Sequence, residues 1–116
     1  MRQGAHTPEE LETLFEDACI VGDAEGLLPL FEQGAVLVAG GDREARGREE
    51  IARAARAMWG RDRSYIADPR RVLQARDTAL SVGSSINVLR RGSDGAWRYA
   101  IALMDLDQLT TKKEQR

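Results

Sequence analysis

The chain has 116 residues, of which 42% are hydrophobic, 31% are charged and only 5% are aromatic, and its formal net charge is −2. This composition is typical of a single globular domain that is long enough to bury a core without disulfides or a structural metal. Its one cysteine, Cys19, and one histidine, His6, exclude an internal disulfide, a zinc finger and a Cys/His metal cage, so we expect neither a metal nor a cofactor.

Neither a membrane nor a nucleic acid is expected as a partner. No stretch approaches the ~20 apolar residues that a membrane span requires, and the N-terminus lacks the apolar stretch of a signal peptide, so we expect a cytoplasmic protein. The net charge is −8 over residues 1–42, +5 over 43–76 and +1 over 77–116. The arginine-rich middle segment is a weak candidate for phosphate binding, because the acidic first segment offers it a partner within the chain.

A capped amphipathic helix is predicted near the start of the chain. Thr7 can cap it, Pro8 suits its first position, and Glu10 stands where a capping box places an acid. Apolar residues then recur every three or four positions, at Leu11, Leu14, Phe15 and Ala18. Gly22 is expected to end the helix. Cys19 lies on or beside this stripe and is expected to be a buried, unreactive thiol.

Helix and strand then alternate. Asp23 caps a second helix, which Pro29 keeps short because proline lacks a backbone donor. Residues 35–39 predict a strand closed by a glycine turn, and residues 43–46 a brief returning strand. Residues 47–59 predict a third helix with acids in its first turn, where the helix dipole favours them.

The rest of the chain predicts β structure. We expect segments at 65–76, interrupted near Pro69, at 78–90 and at 96–106, with a hairpin loop at 92–95. Alternation within 78–90 puts one set of residues on a common face: Leu80, Val82, Ser84, Ile86 and Val88. Asn87 falls on the opposite face, where it could meet a second subunit.

The last strand is apolar on both faces. Trp97, Tyr99, Ile101 and Leu103 alternate with Ala100, Ala102 and Met104, so both faces are expected to be covered, one by the helices and one by a second copy of the chain. Helices followed by a mainly antiparallel sheet make an α+β fold. We expect one domain over 1–116, with a core at about 7–106 and a polar tail at 107–116.

Four short motifs in this order resemble the nuclear transport factor 2-like (cystatin-like) superfamily, and within it the SnoaL-like group. They are the helix junction at 18–31, the strand entry at 34–38, the opening of the third helix at 47–51 and the last-strand entry Asp94-Gly95-Ala96-Trp97-Arg98. The resemblance covers about residues 7–106. It implies a cone-shaped fold in which N-terminal helices pack on a curved, mostly antiparallel sheet around an apolar cavity.

The positions that carry acid/base groups in ketosteroid isomerases of this superfamily are apolar here. The tyrosine eight residues before the junction aspartate corresponds to Phe15, and the general-base aspartate sixteen residues after it corresponds to Ala39. The acid or histidine found five residues after the last-strand tryptophan in many SnoaL-like proteins corresponds to Ala102. None of these side chains transfers a proton, which argues against catalysis at the usual positions.

The resemblance also implies a set of ligand-binding residues. The predicted ligand-binding residues are Phe15, Leu37, Ala39, Trp59, Tyr65, Val82, Ser84, Ala102 and Met104. Leu80, Ile86 and Ala100 are expected to complete the wall of the cavity. Trp59 is either a lid that stacks on a flat ligand or ordinary core, and Tyr65 is either catalytic or a hydroxyl at the rim. Asp105 is either a base with a raised pKa or a solvated strand end.

Two functions from different classes follow. The first is a binding domain for a small apolar molecule, without catalysis, that forms a homodimer through the outer sheet face. The second is an isomerase, cyclase or dehydratase with a rearranged site that uses Asp105 or Tyr65. A carboxylate that points inward beside a hydrogen-bond donor favours the enzyme, and a wholly apolar lining opposes it. A third possibility is an interaction module with a filled cone.

Overall fold

A computed structural model describes residues 4–39, 44–59, 69–83 and 85–104. Three helices precede or interrupt the sheet, and a 3-10 turn, Leu28–Leu30, leads into its first strand. The helices are α1 (Pro8–Val21), α2 (Ala24–Leu27) and α3 (Arg48–Trp59). The strands are β1 (Phe31–Ala39), β2 (Glu44–Arg46), β3 (Pro69–Ala75), β4 (Thr78–Gly83), β5 (Ile86–Arg91) and β6 (Trp97–Met104). None of the helices in these ranges is long and apolar enough to cross a membrane.

Helix α1 begins and ends where the sequence predicts. The Thr7 hydroxyl accepts a hydrogen bond from the Glu10 amide at 3.0 Å, and Glu10 accepts one from the His6 amide at 2.7 Å. At the other end Gly22 has a left-handed conformation with φ 71°, which glycine adopts without steric cost, and its amide bonds back to the last turn. The two caps fix where α1 begins and ends.

The six strands form one sheet in the order β2-β1-β6-β5-β4-β3. Only the β1 and β6 pair is parallel, and the other four pairs are antiparallel. The predicted α+β class, with helices packed on a mostly antiparallel sheet, is confirmed. The helices cover one face, called here the inner face, and the opposite face is called the outer face.

The predicted continuous segment at 78–90 is wrong, because the chain reverses direction within it. Strands β4 and β5 form a hairpin in which Val82 pairs with Ile86, and the Gly83 amide donates to the Ser85 carbonyl at 2.8 Å. Gly83-Ser84-Ser85 is composed of turn-forming residues, and this signal outweighs the apolar alternation on either side. The reversal leaves Val82 and Ile86 on the same face, as alternation predicts.

A register shift in β6 changes which residues share a face. Leu89 pairs with Tyr99, whereas the preceding Val88 pairs with Ile101, so Ala100 is an extra residue on β6. Such a bulge reverses the alternation beyond it. Tyr99 and Ala102, which strict alternation separates, therefore both lie on the inner face, and Ile101 points outward with 43% of its surface exposed.

An aromatic cluster forms part of the core between α1 and the sheet. Phe15 of α1 contacts Phe31 and Tyr99 edge to face, with ring centroids 5.9 and 5.5 Å apart. Phe31 and Tyr99 contact each other at 5.1 Å, and both are fully buried. Edge-to-face pairs add about 0.5–1.5 kcal/mol each beyond the burial of apolar area. This cluster joins the first helix to the first and last strands.

An ion pair at the loop between β5 and β6 provides a test of the local geometry. Asp94 accepts a hydrogen bond from Arg98 Nη2 at 2.6 Å and one from the Ala96 amide at 3.1 Å. These bonds, the one from Arg98 first, lower the pKa of Asp94 from 3.8 to about 2. The folded state therefore gains stability from this carboxylate above its unfolded pKa, and loses that gain as the pH falls through the folded value.

We expect NMR titration of the Asp94 carboxyl carbon to show a midpoint near 2. Replacing Arg98 by leucine removes the largest cause of the shift, so the midpoint is expected to move toward the ordinary aspartate value. An identical midpoint in the parent chain and in Arg98→Leu would contradict the assignment.

Candidate functional site

Glu12 is an acidic residue that α1 turns toward the sheet. It follows Pro8 by four residues and precedes Phe15 by three, so helical spacing puts the three side chains on one face. That face is buried, and Glu12 is only 3% exposed. Because removing a carboxylate from water is costly unless it is hydrogen-bonded, its partners decide what this position can do.

The partner that the structure places against Glu12 is Asn87 of β5. Asn87 Nδ2 donates to Glu12 Oε2 at 3.2 Å and to Ser85 Oγ at 3.1 Å, and the Asn87 side chain is fully buried. The two residues are 75 positions apart in the chain. This contact, called here the Glu12–Asn87 pair, links the first helix to the middle of the sheet.

The contacts of the Asn87 amide fix its orientation. A carboxylate oxygen accepts hydrogen bonds and does not donate them, so the amide nitrogen is the group that faces Glu12. Asn87 Oδ1 lies on the other branch of the planar amide, and no group in the described residues donates to it. Most buried polar atoms in folded proteins are paired, so an acceptor without a donor is an exception.

Small side chains flank the pair on the inner face. Asn87 lies opposite Ala102 on one side and Ser81 on the other, and Ala102 lies beside Leu37 of β1. These neighbours are buried. The adjacent row of the sheet is much bulkier, with Phe31, Tyr99 and Leu89. The Glu12–Asn87 pair therefore belongs to a row of short side chains next to the aromatic cluster.

Three of the predicted ligand-binding residues lie on the inner face near this row. They are Phe15, Leu37 and Ala102, all of them buried. Val82 lies on the outer face, because it alternates with the inward-facing Ser81. Two further residues of the predicted wall, Leu80 and Ile86, share that outer face, whereas Ala100 is the buried extra residue of β6.

Several predicted residues lie outside the part of the chain that the structure describes. This applies to Tyr65, Ser84 and Asp105, and to the side chains of Ala39, Trp59 and Met104. Their assignment as ligand-binding or catalytic residues stays a prediction.

Asn87 lies on the face opposite Val82 and Ile86, as predicted, but that face is the inner one and not a surface for a second subunit. Glu12 is a residue that sequence reasoning missed. Asn87 points inward with Leu89, because the Val82 and Ile86 pairing puts the even-numbered residues of β5 outside. The signal for Glu12 was its helical spacing from Pro8 and Phe15, which places an acid within an apolar stripe. For Asn87 the sequence offers no comparable signal, since its partner is 75 residues away.

No group of three or more Asp, Glu, His or Cys side chains in the described ranges is arranged to hold a metal ion. The arrangement can instead accept a hydrogen bond at Asn87 Oδ1, in a row whose other members are small or apolar. A carboxylate beside an amide donor is also a group that can exchange a proton with a bound molecule.

The fold is similar to that of several solved structures, although no protein-family profile and no curated protein sequence matches the chain. A ketosteroid isomerase-like protein from Erwinia carotovora atroseptica is 18% identical, with a TM-score of 0.69 over 82% of this chain and 89% of that chain. A domain of unknown function with a cystatin-like fold from Nostoc punctiforme is 16% identical, with a TM-score of 0.66 over 89% and 80%.

A third structure is the nuclear transport factor 2-like protein with a cystatin-like fold from Novosphingobium aromaticivorans. It is 24% identical, with a TM-score of 0.63 over 81% of this chain and 75% of that chain. Identities this low establish the fold and nothing finer about activity. The chain has the cystatin-like fold of nuclear transport factor 2-like proteins.

Proposed function

We propose that this chain binds a small, mainly apolar molecule on the inner face of its cone, between α1 and the sheet. The observation that carries the proposal is the Glu12–Asn87 pair, a buried carboxylate and amide in a row that is otherwise small or apolar. Binding sites for small molecules are typically apolar surfaces with a few polar groups that fix orientation. An apolar core of the same size needs no such pair.

Titration with bicyclic aromatic fragments, followed by amide NMR, tests this function. We expect saturable shift changes concentrated at the amides of Glu12, Leu37, Asn87 and Ala102. The amide of Val82, on the outer face, serves as the internal control and is expected to remain unchanged. If none of the fragments shifts the inner-face amides at millimolar concentration, the proposed function is wrong.

A second candidate is an acid/base enzyme of the isomerase, cyclase or dehydratase class. The observation in its favour is that Glu12 is an inward-facing carboxylate beside a hydrogen-bond donor, Asn87 Nδ2. In this version Glu12 takes the role first assigned to Asp105 or Tyr65. If Glu12 is catalytic, Glu12→Gln is expected to abolish turnover of a bound molecule and to change the affinity of the chain for that molecule only slightly.

We also propose that two copies of the chain associate through the outer face. Paired aliphatic side chains cross this face in two rows, namely Val36, Ile101, Val88, Leu80 and Leu73, and Val38, Leu103, Ile86 and Val82. Leu73 and Ile101 are 47% and 43% exposed. Apolar surface that spans five strands favours association.

The charges at the border of these rows support a second copy as the partner. Arg90 and Arg98 lie on the outer face next to the aliphatic rows, paired with Glu32 and Asp94. In a two-fold dimer the same patch meets itself, so a border with both signs of charge can pair with its own copy.

Replacing Ile101 by lysine is expected to convert a dimer to a monomer in equilibrium sedimentation at micromolar concentration, because it puts a charge in the middle of the aliphatic rows. Ile20→Lys is the matched control, since Ile20 is 70% exposed on α1, away from the sheet. It is expected to leave the dimer intact. A parent chain that sediments only as a monomer would refute the dimer.

A further inference from the structure

We propose that the Glu12–Asn87 pair recognises a hydrogen-bond donor, so that the molecule bound in the cone is a cyclic apolar compound that carries a hydroxyl or N–H group. This inference rests on the proposed function and specifies its ligand. It assigns the contact to Asn87 Oδ1, with Glu12 holding the amide in place.

Two hydrogen bonds fix the orientation of the Asn87 amide. Both contacts of Asn87 Nδ2, at 3.2 Å to Glu12 Oε2 and 3.1 Å to Ser85 Oγ, keep the nitrogen on the side of α1 and the β4–β5 turn. Rotating the amide by half a turn would bring Oδ1 against the Glu12 carboxylate, where two acceptors repel each other. Glu12 therefore keeps Oδ1 on the side of the amide that faces away from the carboxylate.

The second feature is Asn87 Oδ1, the acceptor on the other branch of the amide. The atom is buried and has no donor in the described part of the chain. A buried acceptor without a partner destabilises the fold, whereas the same acceptor contributes affinity when a bound molecule donates to it. Such an atom discriminates strongly between compounds of the same shape, because a compound without the donor leaves it unpaired.

The groups around the pair also bear on the charge of the bound molecule. The buried Glu12 carboxylate disfavours carboxylate or phosphate groups in the same row, because like charges repel strongly away from water. Leu37, Ala102 and Phe15 offer only apolar contacts nearby. The surroundings therefore match a neutral ring compound with one donor better than an anion.

Indole and benzothiophene provide a matched pair of probes, since they share a two-ring shape and differ in an N–H group that benzothiophene lacks. We expect the unmodified chain to bind indole about tenfold or more tightly than benzothiophene in NMR titrations at the same ionic strength, the effect of one hydrogen bond to a buried acceptor. This comparison needs no variant and so does not depend on whether a variant folds.

Asn87→Leu keeps the size of the side chain and removes the acceptor, so it is expected to abolish the preference for indole. Thr13→Ala is the matched control, because Thr13 follows Glu12 on α1 but is exposed, and it is expected to leave the preference unchanged. Equal affinity of both probes for the unmodified chain overturns this inference and leaves the proposed function standing. Binding of neither probe overturns both.

Discussion

Replacing Phe31 by alanine is expected to lower the free energy of unfolding by about 3–5 kcal/mol, as large-to-small changes in well-packed cores do. Phe31 is fully buried and begins β1, where it contacts the rings of Phe15 and Tyr99. Its loss removes two of the three ring contacts of the cluster and leaves a cavity at the point where the first helix meets the sheet. Urea unfolding followed by tryptophan fluorescence measures the change.

Val21→Ala is the control for this experiment, because Val21 is at the end of α1 and 73% exposed. It is expected to change the unfolding free energy by about 0.5 kcal/mol or less. A loss in Phe31→Ala as small as that of Val21→Ala would show that the cluster does not form the core.

Replacing Asn87 by leucine is expected to destabilise the fold by about 1–3 kcal/mol, even though the side chains are similar in size. The change removes the hydrogen bond from Nδ2 to Glu12 and leaves the buried carboxylate with less compensation for its lost water. The same change also removes the unpaired Oδ1, which offsets part of the loss. The destabilisation is therefore expected to depend on the presence of Glu12.

Ser81→Ala is the comparison for the stability of Asn87→Leu, since it removes a buried hydroxyl from the neighbouring strand and leaves the Asn87 Nδ2 bond to Glu12 in place. Its expected cost is below that of Asn87→Leu. If both variants lose the same amount, the Glu12 contact contributes nothing specific to stability.

The sequence predicts α1 with both of its ends because the determinants are local. Thr7, Glu10 and Gly22 act on backbone groups within one turn of their own positions. The order of helices and strands and the mainly antiparallel sheet were predictable for a similar reason, through the spacing of apolar residues and glycines.

Features that depend on contacts between distant strands were not predictable. The extra residue at Ala100 is defined only by its pairing with β5, and it brings Tyr99 and Ala102 to the same face. The reversal within 78–90 had a local signal in Gly83 and Ser85, but continuous alternation on both sides hid it. Strict alternation is a poor guide wherever a bulge or turn interrupts a strand.

The candidate site could be predicted in part. The spacing of α1 and the position of the last strand place Phe15 and Ala102 on the inner face. The polar residues were not predictable, because the contact between Glu12 and Asn87 joins positions 75 residues apart in the chain. The expected correspondence of Phe15, Ala39 and Ala102 to acid/base positions concerns other residues and does not reveal the Glu12 carboxylate of α1.

We propose that the Glu12–Asn87 pair serves a bound molecule and not the fold. The double variant Glu12→Met with Asn87→Leu tests it, because it replaces both polar groups by apolar ones of similar size. Unfolding free energy and indole affinity are measured on the same preparation. We expect the double variant to be at least as stable as the parent chain and to lose about tenfold or more in indole affinity. A double variant that is clearly less stable, yet binds indole as well as the parent, would contradict the account.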